Sequence, residues 1–167
     1  MTDLALRLWF DTQLQEVFLG RPDPITHLPT VPPVAVNGVN VNPSAEVAWR
    51  STDFDSVDFP PDRAWFRPTY LAYTPSPEAI GPLARNTFAG MYQVDMFGPT
   101  EGDDTTEAQM IRIMTPIQEA FRRGIQYSTP ELCLTCMQSW VFNSERDKDA
   151  ARWMVSVRVR WRASILN

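Results

Sequence analysis

RNTFAGMYQVDMF, residues 85–97, is the stretch that decides the fold of this 167-residue chain. Its side chains alternate between two faces. One face carries Phe88, Gly90, Tyr92, Val94 and Met96, and the other carries Thr87, Ala89, Met91, Gln93 and Asp95. A period of two, with aromatic and β-branched residues on one face, predicts a half-buried β-strand. Gly98-Pro99 ends it, because Pro cannot donate to a strand ladder.

A helix is predicted directly after this strand, in GDDTTEAQMIRIMTPIQEAFRRG. Asp103–Thr106 supply caps for its N-terminus, and Arg122–Arg123 suit the negative end of the helix dipole. The expected core stripe comprises Ala108, Ile111, Met114 or Ile113, Ile117 and Phe121. Pro116 lies inside this pattern and costs about 3 kcal/mol in a straight helix. We therefore expect a kink near Thr115, with two short helices as the alternative.

A second helix is predicted at the amino terminus, capped by Thr2 or Asp3 and ending at Leu19. Its expected apolar face consists of Leu4, Leu8, Leu14, Val17 and Phe18. Because Trp9 and Phe10 are adjacent, one of them must flank the core or contact a partner.

Three further strands are expected. They cover Ala64–Thr74, Glu131–Phe142 and Ala151–Arg162, with a charged turn at Asn143–Asp149. Pro68 removes a ladder donor, which places the first of these at an edge or a bulge. The sequence therefore predicts one α+β domain over residues 1–167, with an antiparallel or mixed sheet of about four main strands and two α-helices on one face.

Residues 21–62 form a long Pro-rich and acidic insertion in this pattern. Asn37-Gly38 within VAVNGVNV predicts a β-hairpin. Residues 42–62 carry five acidic residues against Arg50 alone. This acidic segment is interpreted either as a solvated excursion or as an arm that docks on a neighbouring subunit. The candidate interface residues in the arm are Asp53, Asp55, Asp58, Phe54 and Phe59.

The charge distribution argues against nucleic acid as the main ligand. The chain has a net charge of −5. Its first 149 residues hold 11 basic and all 20 acidic residues, a net −9. Affinity for nucleic acid comes mostly from neutralising phosphates, for which such a chain is poorly suited. The sequence contains no secretory signal pattern and no apolar run of transmembrane length, so we expect a protein that stays in the cytoplasm.

No catalytic, cofactor-binding or metal site is predicted. Cys133 and Cys136 match CxxC, but a spacing of three within a strand sends the sulfurs to opposite faces, which favours two inert thiols. His27, the single histidine, lies in a Pro-rich loop without a nearby nucleophile. The pairs Asp103-Asp104 and Asp53-Asp55 lack the ligand spacing of a calcium loop.

Three arginines, Arg158, Arg160 and Arg162, share the polar face of the last predicted strand. Guanidinium groups this close repel each other unless anions lie opposite. Three interpretations remain open: a solvated outer face, pairing with carboxylates of a neighbouring copy, and contact with DNA phosphates.

The run R-x-T-x-x-G-M-Y-Q-V-D-M-F-G-P, followed by an acid-capped helix ending near Phe121, resembles the tail terminator family of long-tailed bacteriophages. The resemblance covers Met1–Gly20 and Ala64–Ala163 and is sharpest over Gly90–Pro99, whereas Arg21–Asp62 departs from the family pattern. It implies a structural virion protein that assembles in the host cytoplasm as a ring, usually a hexamer. The ring would cap the tail tube at its head-proximal end, stop tube polymerisation and meet the head-side connector.

The same resemblance implies that the protein is not an enzyme, needs no cofactor and contacts no membrane, and that DNA passes through the ring without specific binding. Three alternatives stay open. The chain is another neck protein, such as a head–tail connector or stopper; a small CxxC oxidoreductase; or a binding domain of unknown ligand.

Overall fold

The fold is described here from a computed structural model, for residues 2–19, 35–36, 39–40, 47–49, 60, 63–73, 76–77, 85–99, 104–130, 132–146 and 152–166. Its helices are α1 (Thr2–Leu19) and α2 (Asp104–Ala120). Its strands are β1 (Ala35–Val36), β2 (Val39–Asn40), β3 (Trp65–Ala72), β4 (Ser76–Pro77), β5 (Arg85–Phe97), β6 (Gln126–Ser128), β7 (Leu132–Arg146) and β8 (Trp153–Leu166). β1 and β2 form a separate hairpin, as predicted.

The remaining six strands form one sheet in the order β3-β5-β8-β7-β6, with β4 paired to the end of β5. All neighbouring strands are antiparallel, and both helices pack on the same face. The prediction of an α+β fold with two helices on one face is confirmed. β5 pairs along its full length with β8, the middle strand of this order, from Arg85 opposite Leu166 to Phe97 opposite Met154.

The strands differ from the prediction in several places. β4 was not predicted, and β8 continues to Leu166, past the predicted end at Arg162. The turn expected at Asn143–Asp149 is wrong in its first half, because β7 continues to Arg146, which pairs with Trp153. Cross-strand pairing with β8 keeps this polar stretch extended despite its composition. The sequence pattern also missed β6, whose three residues bury little surface and are held by their pairing with Cys133–Thr135.

The core lies between the sheet and the helices and is rich in aromatic side chains. The Phe10 ring on α1 sits at its centre, stacked on Tyr92 with 4.7 Å between ring centroids and in contact with Trp161 and Phe121. Trp9 stacks on Tyr127 at the border of this cluster. The prediction that one of the two adjacent aromatics flanks the core is confirmed.

The predicted stripe of α1 is wrong by a rotation of the helix. Leu4 and Leu8 are 59% and 54% exposed, whereas Leu14 and Phe18 are buried as expected. The buried residues recur every fourth position, at Leu6, Phe10, Leu14 and Phe18. The large Phe10 ring fixes this rotation, because it packs on the centre of the sheet and thereby turns Leu4 and Leu8 away from the core.

The predicted stripe of α2 is wrong only in its first half, since Ile113, Met114, Ile117 and Phe121 are buried as expected. Ala108 is exposed and Ile111 half-buried, and Thr106 and Met110 are buried in their place. Gly98 explains the burial of Met110, since a Cβ placed at Gly98 would lie 2.5 Å from the Met110 sulfur. The glycine therefore opens the space that Met110 fills.

Pro116 lies within α2, which continues through it as one helix. The alternative of two short helices is therefore wrong. The Thr115 hydroxyl donates a hydrogen bond of 2.8 Å to the carbonyl of Ile111, a local bond that accompanies bends in helices. Neither of the described helices has the length and apolar character needed to cross a membrane.

Candidate functional site: the helix-free face of the sheet

The outer face of the sheet, opposite the helices, gathers the arginines of two strands. Residues of β3, β5, β7 and β8 that point away from the core form it, and neither described helix covers it. We call it the arginine face. Among the side chains that the structure describes on this face, the basic ones are Arg67 on β3 and Arg158, Arg160 and Arg162 on β8.

A buried carboxylate anchors one end of the arginine face. Asp95 is only 1% exposed and accepts hydrogen bonds from the Ser156 hydroxyl, from the Gln93 amide at 2.6 Å and from the Arg67 guanidinium at 3.2 Å. Three donors compensate its loss of hydration. Because they come from β3, β5 and β8, the network fixes the side chains of three neighbouring strands.

The three arginines of β8 differ in exposure, and the partners of the half-buried Arg158 lie within the chain. Its Nε donates 3.0 Å to the Gln93 Oε1, and its guanidinium lies 4.2 Å from the centroid of the Phe142 ring. Arg160 and Arg162 are exposed. The structure thus places the three predicted arginines on one face, as the strand periodicity indicates, but gives Arg158 partners inside its own chain.

Large apolar side chains lie between and beside these arginines. Leu71, Tyr73 and Phe142 are 48%, 56% and 37% exposed, and Met91 and Trp140 are half-buried. Arginine together with aromatic residues is the composition of interface hot spots. Sequence reasoning missed this apolar part, although the alternation of Trp65–Tyr73 already puts Leu71 and Tyr73 on the same face as Arg67.

The electrostatics of the arginine face are opposite to those of the whole chain. Among the side chains described on this face, Asp95 is the single acidic one, and it is buried and already bonded to Arg67. A basic, partly apolar surface on an acidic protein fits a partner with carboxylates and aromatic rings. The arginine face therefore has the chemical character of a binding surface.

The predicted acidic partners lie outside the described residues, as does His27. These partners are Asp53, Phe54, Asp55, Asp58 and Phe59. The described residues on either side of them are fixed on the β3 side of the sheet. Val47 bridges to Phe66 of β3, and Arg152 donates hydrogen bonds to the carbonyls of Pro60 and Arg63.

The CxxC motif does not form a dithiol site. Cys133 is exposed on the outer side of β7, whereas Cys136 is buried opposite Trp161. Burial raises the pKa of the Cys136 thiol to about 12, so that it stays protonated at neutral pH. The prediction that the sulfurs lie on opposite faces is confirmed. Within the described chain no three His, Cys, Asp or Glu side chains converge as metal ligands.

Comparison with known proteins agrees with the expectation from the motif at Gly90–Pro99. The sequence matches the family described as "Phage tail terminator protein" over residues 28–161, well over half of its length. No curated protein matches the chain. The match includes β3, β5, α2 and β7 and most of β8, and therefore the strands that build the arginine face. The chain belongs to the phage tail terminator family.

Proposed function

We propose that this protein forms a ring on the head-proximal end of a phage tail tube, where it stops tube polymerisation and presents a surface to the head-side connector. The family match over residues 28–161 carries this proposal. The open arginine face supports it, because a subunit that works by contact needs an exposed surface of this composition.

The charge of the chain suits a channel for DNA. Six copies of net charge −5 carry about −30, which repels DNA phosphates and lets DNA pass without binding. The proposal therefore includes no specific nucleic-acid contact.

Within the ring, the arginine face of one copy pairs with the acidic segment of the next. Arg160 and Arg162 supply exposed guanidinium groups, and Asp53, Asp55 and Asp58 supply carboxylates. The aromatic residues Phe54 and Phe59 of that segment match the apolar part of the arginine face. Such a contact joins two different surfaces and can close into a ring.

The test is tail length in phage particles that lack this protein. We expect tails of irregular length, restored to uniform length by the wild-type chain but poorly by Arg160→Glu/Arg162→Glu. Arg122→Glu/Arg123→Glu, which changes charge equally at the exposed end of α2, is the matched control and should restore length. Uniform tails without the protein would contradict the proposal. Co-purification with portal rather than tube protein would instead assign it to a connector or stopper.

A further inference from the structure

Arg158 has its guanidinium group held by the two strands that flank β8. Its Nε donates 3.0 Å to the Gln93 Oε1 on β5, and its central guanidinium carbon lies over the Phe142 ring of β7, 4.2 Å from the ring centroid. β5 and β7 are the two neighbours of β8 in the sheet. The guanidinium group is therefore fixed from both sides before any partner binds.

The orientation of Gln93 is fixed as well. Its Nε2 donates 2.6 Å to the Asp95 Oδ1, so its Oε1 is the amide atom that is turned towards Arg158. A glutamine amide has one donor group and one acceptor group, and both are used here. Asp95 is buried and is held in turn by Ser156 and Arg67. Through Gln93, this buried carboxylate sets the position of the acceptor that receives Arg158.

The partners that the described residues give Arg158 are neutral. They are an amide oxygen and an aromatic ring, whereas the Asp95 carboxylate is paired with Arg67 at 3.2 Å. The bond to Gln93 uses the Nε hydrogen, and a guanidinium group has further N–H donors on both Nη atoms. Arg158 is half-buried, a position where opposite charges attract each other more strongly than in bulk water. Arg158 is therefore a preorganised site for an anion.

A carboxylate is the anion that suits this site best. The Nη groups of an arginine form a planar fork that binds both oxygens of a carboxylate. A phosphate also fits such a fork, but the net charge of −5 on the chain repels the DNA that would supply one. The acidic segment of a neighbouring copy supplies Asp53, Asp55 and Asp58.

We propose that Arg158 binds one aspartate of the neighbouring copy's acidic segment through a bidentate pair, with Gln93 as its positioning residue. This inference rests on the proposed ring and names the residue that sets the geometry of its contact. The exposed Arg160 and Arg162 attract the segment by charge, whereas Arg158 fixes the place at which the segment binds.

Lysine substitutions separate geometry from charge. Lysine keeps the positive charge, but it has no planar fork and no Nε donor for Gln93. By light scattering and native mass spectrometry of the full chain, alone and with tail tubes, we expect Arg158→Lys to weaken assembly at least about tenfold. Arg160→Lys, the matched control on the same strand, should weaken it less than about twofold. Equal effects of the two substitutions, with both variants folded by circular dichroism, would overturn the role of Arg158.

Gln93→Met tests the positioning role, because it keeps a side chain of similar length and removes both amide hydrogen bonds. In the wild-type background it should weaken assembly at least about threefold, and in the Arg158→Lys background it should have no further effect. The reason is that the lysine has already lost the geometry that Gln93 sets. Equal losses in the two backgrounds would reveal a general structural effect and overturn the positioning role.

A second double-mutant cycle identifies the anion. Arg158→Lys should weaken assembly of the wild type at least about tenfold, but that of Asp53→Asn/Asp55→Asn/Asp58→Asn less than about twofold. The same loss in both backgrounds would overturn the pairing with the acidic segment. If Arg158→Lys assembles normally and instead lowers the affinity for a DNA duplex, the anion is a phosphate and the pairing is overturned.

The proposed ring and this inference fail in different ways. A ring that forms normally from Arg158→Lys chains overturns the pairing of Arg158 and leaves the ring intact. A wild-type chain that stays monomeric even with tail tubes overturns the ring and the pairing together.

Discussion

The hydroxyl of Tyr92, at the centre of the sheet, donates a hydrogen bond of 2.9 Å to the carboxylate of Asp11 on α1. Tyr92 is fully buried, and the Phe10 ring stacks on it from the same helix. Arg7 pairs with the other carboxylate oxygen of Asp11 at 3.4 Å. This polar bond joins α1 to the sheet beside the apolar Phe10 contact, and it reinforces the rotation of the helix that the Phe10 ring sets.

Tyr92→Phe should lower the free energy of unfolding by about 1 kcal/mol, because it removes this hydrogen bond and keeps the ring. Urea denaturation followed by circular dichroism measures the change. Tyr73→Phe is the matched control, since the Tyr73 side chain is more than half exposed and should lose nothing. Equal stability of the two variants would show that the Tyr92–Asp11 bond does not hold the helix.

Asp11 should also make stability depend on pH. Its burial raises the pKa of this carboxyl above 3.8, although the hydrogen bond from Tyr92 and the charge of Arg7 act against the shift. The folded state therefore binds a proton more tightly than the unfolded state. The contribution of Asp11 to stability grows as pH falls through the raised pKa towards 3.8, and it is lost as pH rises.

The comparison that isolates this effect is wild type against Asp11→Asn, which keeps an acceptor for Tyr92 and cannot titrate. Urea denaturation near pH 7 and near pH 4 should show the wild type gaining stability relative to Asp11→Asn at the lower pH. If the difference in free energy of unfolding between the two proteins is the same at both pH values, or favours Asp11→Asn more at pH 4, the pKa of Asp11 is not raised.

Gly90→Ala should destabilise the protein by about 1–3 kcal/mol through a steric clash. A Cβ at this position would lie 2.3 Å from the Leu71 carbonyl oxygen and 2.3 Å from the Trp161 ring. The Trp161 indole lies over the glycine of its cross-strand pair and fills the space left by the missing side chain. Thermal unfolding monitored by near-ultraviolet circular dichroism should report both the loss and the disturbed indole.

Gly124→Ala separates this clash from backbone strain. Gly124 has φ of +91°, and a Cβ added there would meet nothing within 4 Å, so alanine costs only the unfavourable backbone conformation, about 1 kcal/mol. If the two substitutions cost the same, close packing of Trp161 on Gly90 is not what requires glycine in β5.

Strand periodicity predicted the sheet well because neighbouring strands impose the same alternation on every residue they pair. The bounds of β5 and the two faces of β8 follow from their sequences alone. The helix stripes could not be predicted as reliably. Both helices carry apolar residues on more than one side, and contacts of Phe10 and Met110 with distant residues decide which side is buried.

The arginine face was predictable in part for the same reason. The β8 arginines share one face by alternation, but their individual partners depend on neighbours from β5 and β7. The position of β3 at one end of the sheet order depends on which strands are adjacent in space, and in the sequence Pro68 alone indicated it.

Arg152 shows a role that no sequence pattern signalled. It is buried, and its guanidinium donates to the carbonyls of Arg63 at 3.0 Å, Gly98 at 3.3 Å and Pro60 at 3.2 Å. Arg152→Met should cost about 2–3 kcal/mol in urea denaturation, because all three hydrogen bonds are lost and the carbonyl of the buried Gly98 loses this donor. Arg160→Met, at an exposed position, should change stability by less than about 0.5 kcal/mol. If the two substitutions lowered the free energy of unfolding equally, the effect of Arg152→Met would come from the loss of a positive charge and not from these hydrogen bonds.

The two cysteines should differ sharply in reactivity. Cys133 is exposed, whereas burial keeps the Cys136 thiol protonated with a pKa of about 12, and alkylation requires the thiolate. Native protein treated with iodoacetamide at pH 8 should gain one adduct by mass spectrometry, and two after unfolding in urea. Cys133→Ser should gain none while folded.

Native protein that gains two adducts, or that forms an intramolecular disulfide under mild oxidation, would contradict the placement of the sulfurs on opposite faces of β7. A disulfide between these two cysteines needs both sulfurs on the same side of the strand. A single adduct on the native protein would therefore indicate that the CxxC motif forms no disulfide and has no redox role.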